Sequence, residues 1–256
     1  MITDISPRDG ERLDEVNESL KLIQKTDGLT FGTDAYLLAA YMYSCCGGHA
    51  VELGGGTGII SLLAASRKRF ESITVAEIQE EYAELIQRNI KLNGLDDRIS
   101  VICRDARELK PSLLGKEYDT VFSNPPYMKT NSGKRNECDG KYIARHEVFG
   151  GVDDFCAAAY RLLKFGGKFF VVYRPDRLID LIAALRNNKL EPKKMTFVHA
   201  DPNTPPSMVL IEAKKGASPS LTLTRPRMMF NNGTRETSAD AEKIYKNCSF
   251  AEFFER

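Results

Sequence analysis

A chain of 256 residues, 42% hydrophobic and 28% charged, has the apolar mass for one substantial core and the composition of an ordinary globular protein. A net charge of +1 excludes a uniformly basic or acidic surface, and no run approaches the roughly 18 apolar residues of a membrane-spanning helix. The opening residues MITDISPRDG hold no apolar signal core, and Cys45, Cys46, Cys103, Cys138, Cys156 and Cys248 show neither a CxxC pair nor a His spacing. No zinc site and no disulfide framework are therefore expected, and reduced thiols in a cytoplasmic protein are.

In chain order, residues 20–24 and 29–31 flank Lys25, Thr26, Asp27 and Gly28, a turn with hairpin character. A helix is predicted over 34–43, and together these form an N-terminal cap. Strands near 50–53, 73–76, 99–103, 118–122, 167–173, 194–199 and 208–213 then alternate with helices near 58–68, 80–93, 152–164 and 177–188. Such alternation predicts an α/β, doubly wound sheet. Cys103, inside an apolar strand, reads as a buried small hydrophobe. The polar loop over 128–147 is long, as substrate lids beside active sites often are. Beyond Leu221 a further strand and turn precede a short helix over 239–247.

The run Val51 to Ile60, VELGGGTGII, reads as a strand, a glycine turn and a helix start. Glycine permits positive φ and close backbone approach to a ligand, and a helix N-terminus presents free amides to it. The dinucleotide fingerprint GxGxxG is not met, because Ile59 stands where its third glycine belongs. Glu52, Gly54, Gly56 and Gly58 give ExGxGxG instead, a spacing that suits S-adenosylmethionine, with the Glu52 carboxylate meeting the cofactor's ammonium directly or through water. Two more acids follow predicted strands. Glu77 is placed to accept both ribose hydroxyls, and Asp105 to accept from the adenine amine.

Ser123, Asn124, Pro125, Pro126 and Tyr127 spell SNPPY directly after the fourth of these strands. Ligand crevices of open parallel sheets lie beyond the carboxyl ends of the strands, and paired prolines hold the backbone extended there. The group such a turn suits is a planar amine. Its hydrogens meet the Asn124 amide oxygen and the Pro125 carbonyl while Tyr127 stacks on the ring. The competing reading of SNPPY alone is a stiff connection.

With these motifs the chain resembles class I methyltransferases of the seven-strand, Rossmann-like type. Over nearly its full length it is similar to the bacterial tRNA adenine-N6 methyltransferases that modify an anticodon-adjacent adenosine of valine tRNA. The resemblance is carried by FGTDA at 31–35, the glycine turn, AEIQ at 76–79, RDAREL at 104–109, SNPPY, IARHE at 143–147 and RLLKFGGKFFVVYRPDRL at 161–178. It implies a seven-stranded sheet with an antiparallel last strand, and catalytic roles for Asn124, Pro125, Pro126 and Tyr127. It further implies a cofactor site that includes Thr33, Asp34, Ile78, Ala106 and Asn124 beside the acids and glycines, with no metal. It implies tRNA as partner and N6 methylation as the reaction. Two rivals share SNPPY and the glycine turn: a glutamine-amide protein methyltransferase and a ribosomal RNA guanine-N2 methyltransferase. A non-catalytic cofactor-binding module is a third. His146 is expected either to touch RNA or to pack its loop.

Charge is unevenly spread, at −6 over residues 1–128 and +7 over 129–256. Lys129, Lys134, Arg135, Lys141, Arg145, Lys193, Lys194, Lys214, Lys215, Arg225 and Arg227 make the second half a candidate RNA footprint. One structural domain is expected, with a cap over 1–48, a catalytic core over 49–216 and an extension over 217–256, acting as a monomer.

Overall fold

A computed structural model of the chain describes residues 5–28, 30–42, 47–127, 150–248 and 250. Cys45, Cys46, Cys138, the loop over 128–147 with its five basic residues, and His146 lie outside the described residues.

The core is a parallel sheet wound on both faces. Strands β3 (His49–Leu53), β4 (Ser72–Glu77), β5 (Ile99–Cys103), β6 (Tyr118–Ser123) and β7 (Leu163–Tyr173) stand in the order β5-β4-β3-β6-β7. Strand β9 (Pro206–Lys215) inserts antiparallel between β7 and β8 (Leu190–His199), so the last core strand is the antiparallel one. Alternation of side chains explains the two buried faces. Phe170 and Val172 of β7 join one apolar cluster, whereas Phe169 and Val171 join the other. The first cluster takes in α1 (Thr33–Tyr41), α2 (Ile59–Ser66) and α3 (Glu80–Leu92). The second takes in α5 (Val152–Leu162) and α6 (Leu178–Asn187), with the one-turn α4 (Pro111–Leu114) at its margin through Leu114.

The hairpin lies upstream of its predicted place. β1 (Glu11–Asn17) pairs antiparallel with β2 (Leu20–Lys25), and residues 26–28 form bends instead of a hairpin turn. ERLDEVN carries four charges and only two apolar residues, because β1 is a half-exposed ribbon with no sheet above it, so apolar periodicity does not mark it. The ribbon docks on α3. Asn89, fully buried, accepts from Ile23 N at 2.7 Å and donates to Ile23 O at 2.9 Å and Thr57 O at 3.1 Å. Arg88 forks onto Glu11 with two bonds of 2.8 Å.

The extension adds to the sheet. β10 (Thr222–Leu223) and β11 (Arg227–Met228) pair parallel with β8, giving nine strands among the described residues. Helix α7 (Ala239–Asn247) then returns to α1, where the Tyr245 and Tyr36 rings meet edge-on at 5.1 Å. Two members of the candidate RNA footprint belong to the interior architecture. Arg227 is fully buried against Asp240 and Phe250, and Lys215 donates to the carbonyls of Tyr160 and Leu163. Cys103 is exposed, because β5 is the sheet edge and Cys103 its last residue. No helix among the described residues is long and apolar enough to cross a membrane.

Candidate active site

The glycine turn is pinned to the end of β4, where Gly54 N and Gly55 N both donate to Ala76 O, at 2.9 and 3.2 Å. Gly55 has no room for a side chain, since a Cβ there would overlap Val75 Cγ1 and sit 2.9 Å from Ile86 Cδ1. Gly58 caps α2 with φ +80°, a conformation that favours glycine. A Cβ on Gly58 would also stand 3.0 Å from Ile86 Cγ2, so packing on α3 adds to the requirement.

The three acids take different positions. Glu77, the last residue of β4, is buried and held by backbone amides, Gly56 N on Oε2 at 2.9 Å and Gln79 N on Oε1 at 3.0 Å. Burial pushes its carboxyl above the usual range against the pull of those amides. Asp105 caps the 3-10 turn Ala106–Glu108 by accepting from Arg107 N at 2.8 Å, and its carboxylate also grips the Arg107 guanidinium, which holds its pKa down. Both Asp105 oxygens thus already carry bonds within the chain. Glu52 lies one residue before the end of β3 and points to the α2 face, fully buried, where Ser61 Oγ donates to its Oε2. Burial pushes its carboxyl up to about 8, and Oε1 has no hydrogen-bond partner among the described residues. In this arrangement Glu52 does not reach the crevice wall.

At the end of β6, Ser123 Oγ donates to Leu53 O at 2.7 Å and ties the SNPPY turn to the strand that carries the glycine turn. Asn124 Nδ2 donates to Asp34 Oδ2 at 2.7 Å. The Tyr127 carbonyl accepts from Arg177 Nη1 at 3.0 Å, and the Arg174 guanidinium stands 5.7 Å from the Tyr127 ring centre. The YRPDRL segment at the end of β7 thus braces the end of the turn.

These elements enclose one cavity of about 460 Å3. Its wall includes Thr33, Asp34, Gly54, Gly56, Glu77, Ile78, Asp105, Ala106, Asn124, Pro125, Pro126 and Tyr127; Glu52 and Gly58 stand outside it. Wall residues outside the predicted site include Phe155, whose ring faces Gly54, and Phe31, Gln79 and Met208. Phe155 sits on an amphipathic helix and carries no sequence signal separating it from core. The volume lies in the range of small-molecule sites. Carboxylates at two strand ends, close-approach glycines and apolar Ile78, Ala106 and Phe155 are a donor set and shape that fit a nucleoside bearing an amino-acid arm.

The family model described as conserved hypothetical protein 95 matches residues 37–146. Among solved structures, a protein of Agrobacterium tumefaciens described as a predicted O-methyltransferase aligns with TM-score 0.67 at 22% identity, covering 85% of this chain and 97% of that one. The tRNA m1G37 methyltransferase of M. jannaschii aligns with TM-score 0.55 at 18% identity, covering 82% and 58%. At such identities these share the fold. In sequence, the tRNA1(Val) (adenine(37)-N6)-methyltransferase of Parabacteroides distasonis is 29% identical over 223 residues, 84% of this chain and 90% of its own. The protein of the same description from Phocaeicola vulgatus is 33% identical over 185 residues, 72% of this chain and 76% of its own. At that identity and coverage the chain belongs to the tRNA1(Val) (adenine(37)-N6)-methyltransferase family.

Proposed function

We propose that this protein methylates N6 of an adenosine in tRNA, adenine 37 of a valine tRNA, with S-adenosylmethionine as donor, in the cytoplasm. The observation that carries the proposal is the single cavity joining the glycine turn and Glu77 to the Asn124–Tyr127 edge. Glu77, Ile78, Asp105, Ala106, Gly54, Gly56, Thr33 and Asp34 are the residues proposed to surround the cofactor. Glu52 stands behind the turn, outside the cavity, and ties β3 to α2 through Ser61. Bound there, the cofactor supplies an electrophilic methyl group on a sulfonium centre.

The chain's own task is positional. Adenine's exocyclic amine is conjugated into its ring and is a poor nucleophile. Asn124 Oδ1 and the Pro125 carbonyl accept its two hydrogens, favour a more tetrahedral nitrogen and stabilise the positive charge that develops on it. The prolines keep both acceptors in place without reorganisation. Tyr127 stacks on the base once it has left its neighbours in the anticodon loop. The methylated nitrogen, cationic while its hydrogens are held by the two acceptors, is strongly acidic and gives up one proton to solvent, so no strong general base is needed.

Transfer of tritium from labelled cofactor to unmodified tRNA, followed by nucleoside analysis, tests this function. N6-methyladenosine as the labelled product is expected. Label in protein alone, or in methylguanosine, overturns it in favour of the glutamine-amide or guanine reading.

A further inference from the structure

We infer that Asp34 is a positioning residue for the reaction: its carboxylate sets which edge of the Asn124 amide faces the substrate amine. This rests on the proposed role of Asn124 as acceptor. A side-chain amide is nearly symmetric in shape, so packing alone distinguishes its oxygen from its NH2 poorly. Turned over, Asn124 would offer two donors to an amine that is itself a donor, and the acceptor on which the chemistry depends would be lost.

Asp34 removes that ambiguity. A carboxylate only accepts, so the Asn124 edge lying 2.7 Å from Asp34 Oδ2 must be the NH2 edge, and Oδ1 faces the other way. Asp34 is fixed in turn. Its Oδ1 accepts from Ala35 N at 3.0 Å, and it stands in the first turn of α1, where the helix dipole favours an anion. Helix α1 is buried from Ala35 to Tyr41, and Thr33 Oγ1 lies 3.2 Å from the Tyr245 hydroxyl of α7. A chain of contacts therefore runs from the C-terminal extension through the start of α1 to the acceptor amide. It assigns the FGTDA segment a part in the methyl-accepting half of the site as well as in the cofactor half.

The test combines two readouts on Asp34→Ala and on Asp34→Asn, which keeps the side chain's size. In cofactor-free protein, the Asn124 side-chain NH2 signal, identified by its loss in Asn124→Ala, is followed by 15N NMR. In Asp34→Ala it is expected to shift and to exchange with solvent about 10-fold faster, as a freed amide does, and in Asp34→Asn, whose amide still has one acceptor oxygen, to fall between that variant and the wild type. In single-turnover methylation at saturating cofactor and tRNA, Asp34→Ala is expected to slow the chemical step about 10- to 100-fold, a loss that further cofactor does not restore. Added to Asn124→Ala, it should then cost nothing further, because residues acting as one unit are not additive. An unmoved NH2 signal overturns the inference. So does a tenfold loss of cofactor affinity at unchanged rate, or losses that multiply in the double variant. If wild-type protein does not methylate tRNA adenine, the proposed function falls, while the NMR readout still decides whether Asp34 sets the amide.

Discussion

Glu52 offers a test of how the site is built that needs no substrate. Its carboxyl is fully buried, bonded on one oxygen by Ser61 and unpartnered on the other among the described residues, with Glu77 as a like-charged neighbour. Burial is the largest cause of its elevation, from an ordinary 4.5 up to about 8. Below pH 4.5 the folded and unfolded chains both hold this proton, and the group adds no pH dependence. Between 4.5 and 8 the folded chain keeps a proton that the unfolded chain has released, so stability falls as pH rises, by about 1.4 kcal/mol per unit. From pH 6 to pH 8, where the slope flattens near the folded pKa, the loss comes to about 2 kcal/mol. Glu52→Gln keeps an acceptor for Ser61 and removes the titration. Urea unfolding of the cofactor-free protein at the two pH values, followed by circular dichroism, should show the wild type losing about 2 kcal/mol more than the variant. The elevation of Glu77 has the same sign, but Glu77 is present in both proteins and largely cancels. Equal pH dependence in the two proteins would refute the reading of Glu52 as a buried, protonated acid beneath the turn.

Gly55→Ala places a methyl group against Val75 and Ile86 and must lift the glycine turn from β4. A stability loss of about 1–3 kcal/mol in urea, together with at least a tenfold loss of cofactor affinity by calorimetry, is expected; wild-type values for both would show that the turn has slack. Arg174, half exposed beside the Tyr127 ring and ion-paired with Asp176 at 3.0 Å, is proposed to exchange that partner for a phosphate of the displaced nucleotide. Arg174→Ala should weaken tRNA binding severalfold and flatten its log–log salt dependence by about one unit. An unchanged slope would confine Arg174 to bracing Tyr127.

Local chemistry made much of this protein legible from its residues. The glycine turn announces itself because only glycine tolerates the crowding at Gly55 and the positive φ at Gly58. The SNPPY turn follows a run apolar enough to mark a strand buried on both faces. What escaped depends on distance along the chain or on how far along the sheet a residue stands. Asp34 and Asn124 are 90 residues apart, and nothing local to either indicates their bond. Glu52 and Glu77 both read as acids at strand ends. Two residues of register decide between them: Glu52 stands level with Val75 and stays beneath the turn against Ser61 of α2, whereas Glu77, two residues further along the same face, reaches the crevice. Strand β1 was hidden by its charge, and Arg227 reads as a surface cation until its partners in the extension are seen.

The central claim is that the Asn124 amide oxygen holds the target amine for methyl transfer. Single-turnover methylation of tRNA by Asn124→Ala, at saturating cofactor and tRNA, tests it most directly. The account predicts a rate lower by about 10² or more, comparable to losing one preorganised partner of a developing charge, with cofactor affinity little changed. A near wild-type rate would contradict it.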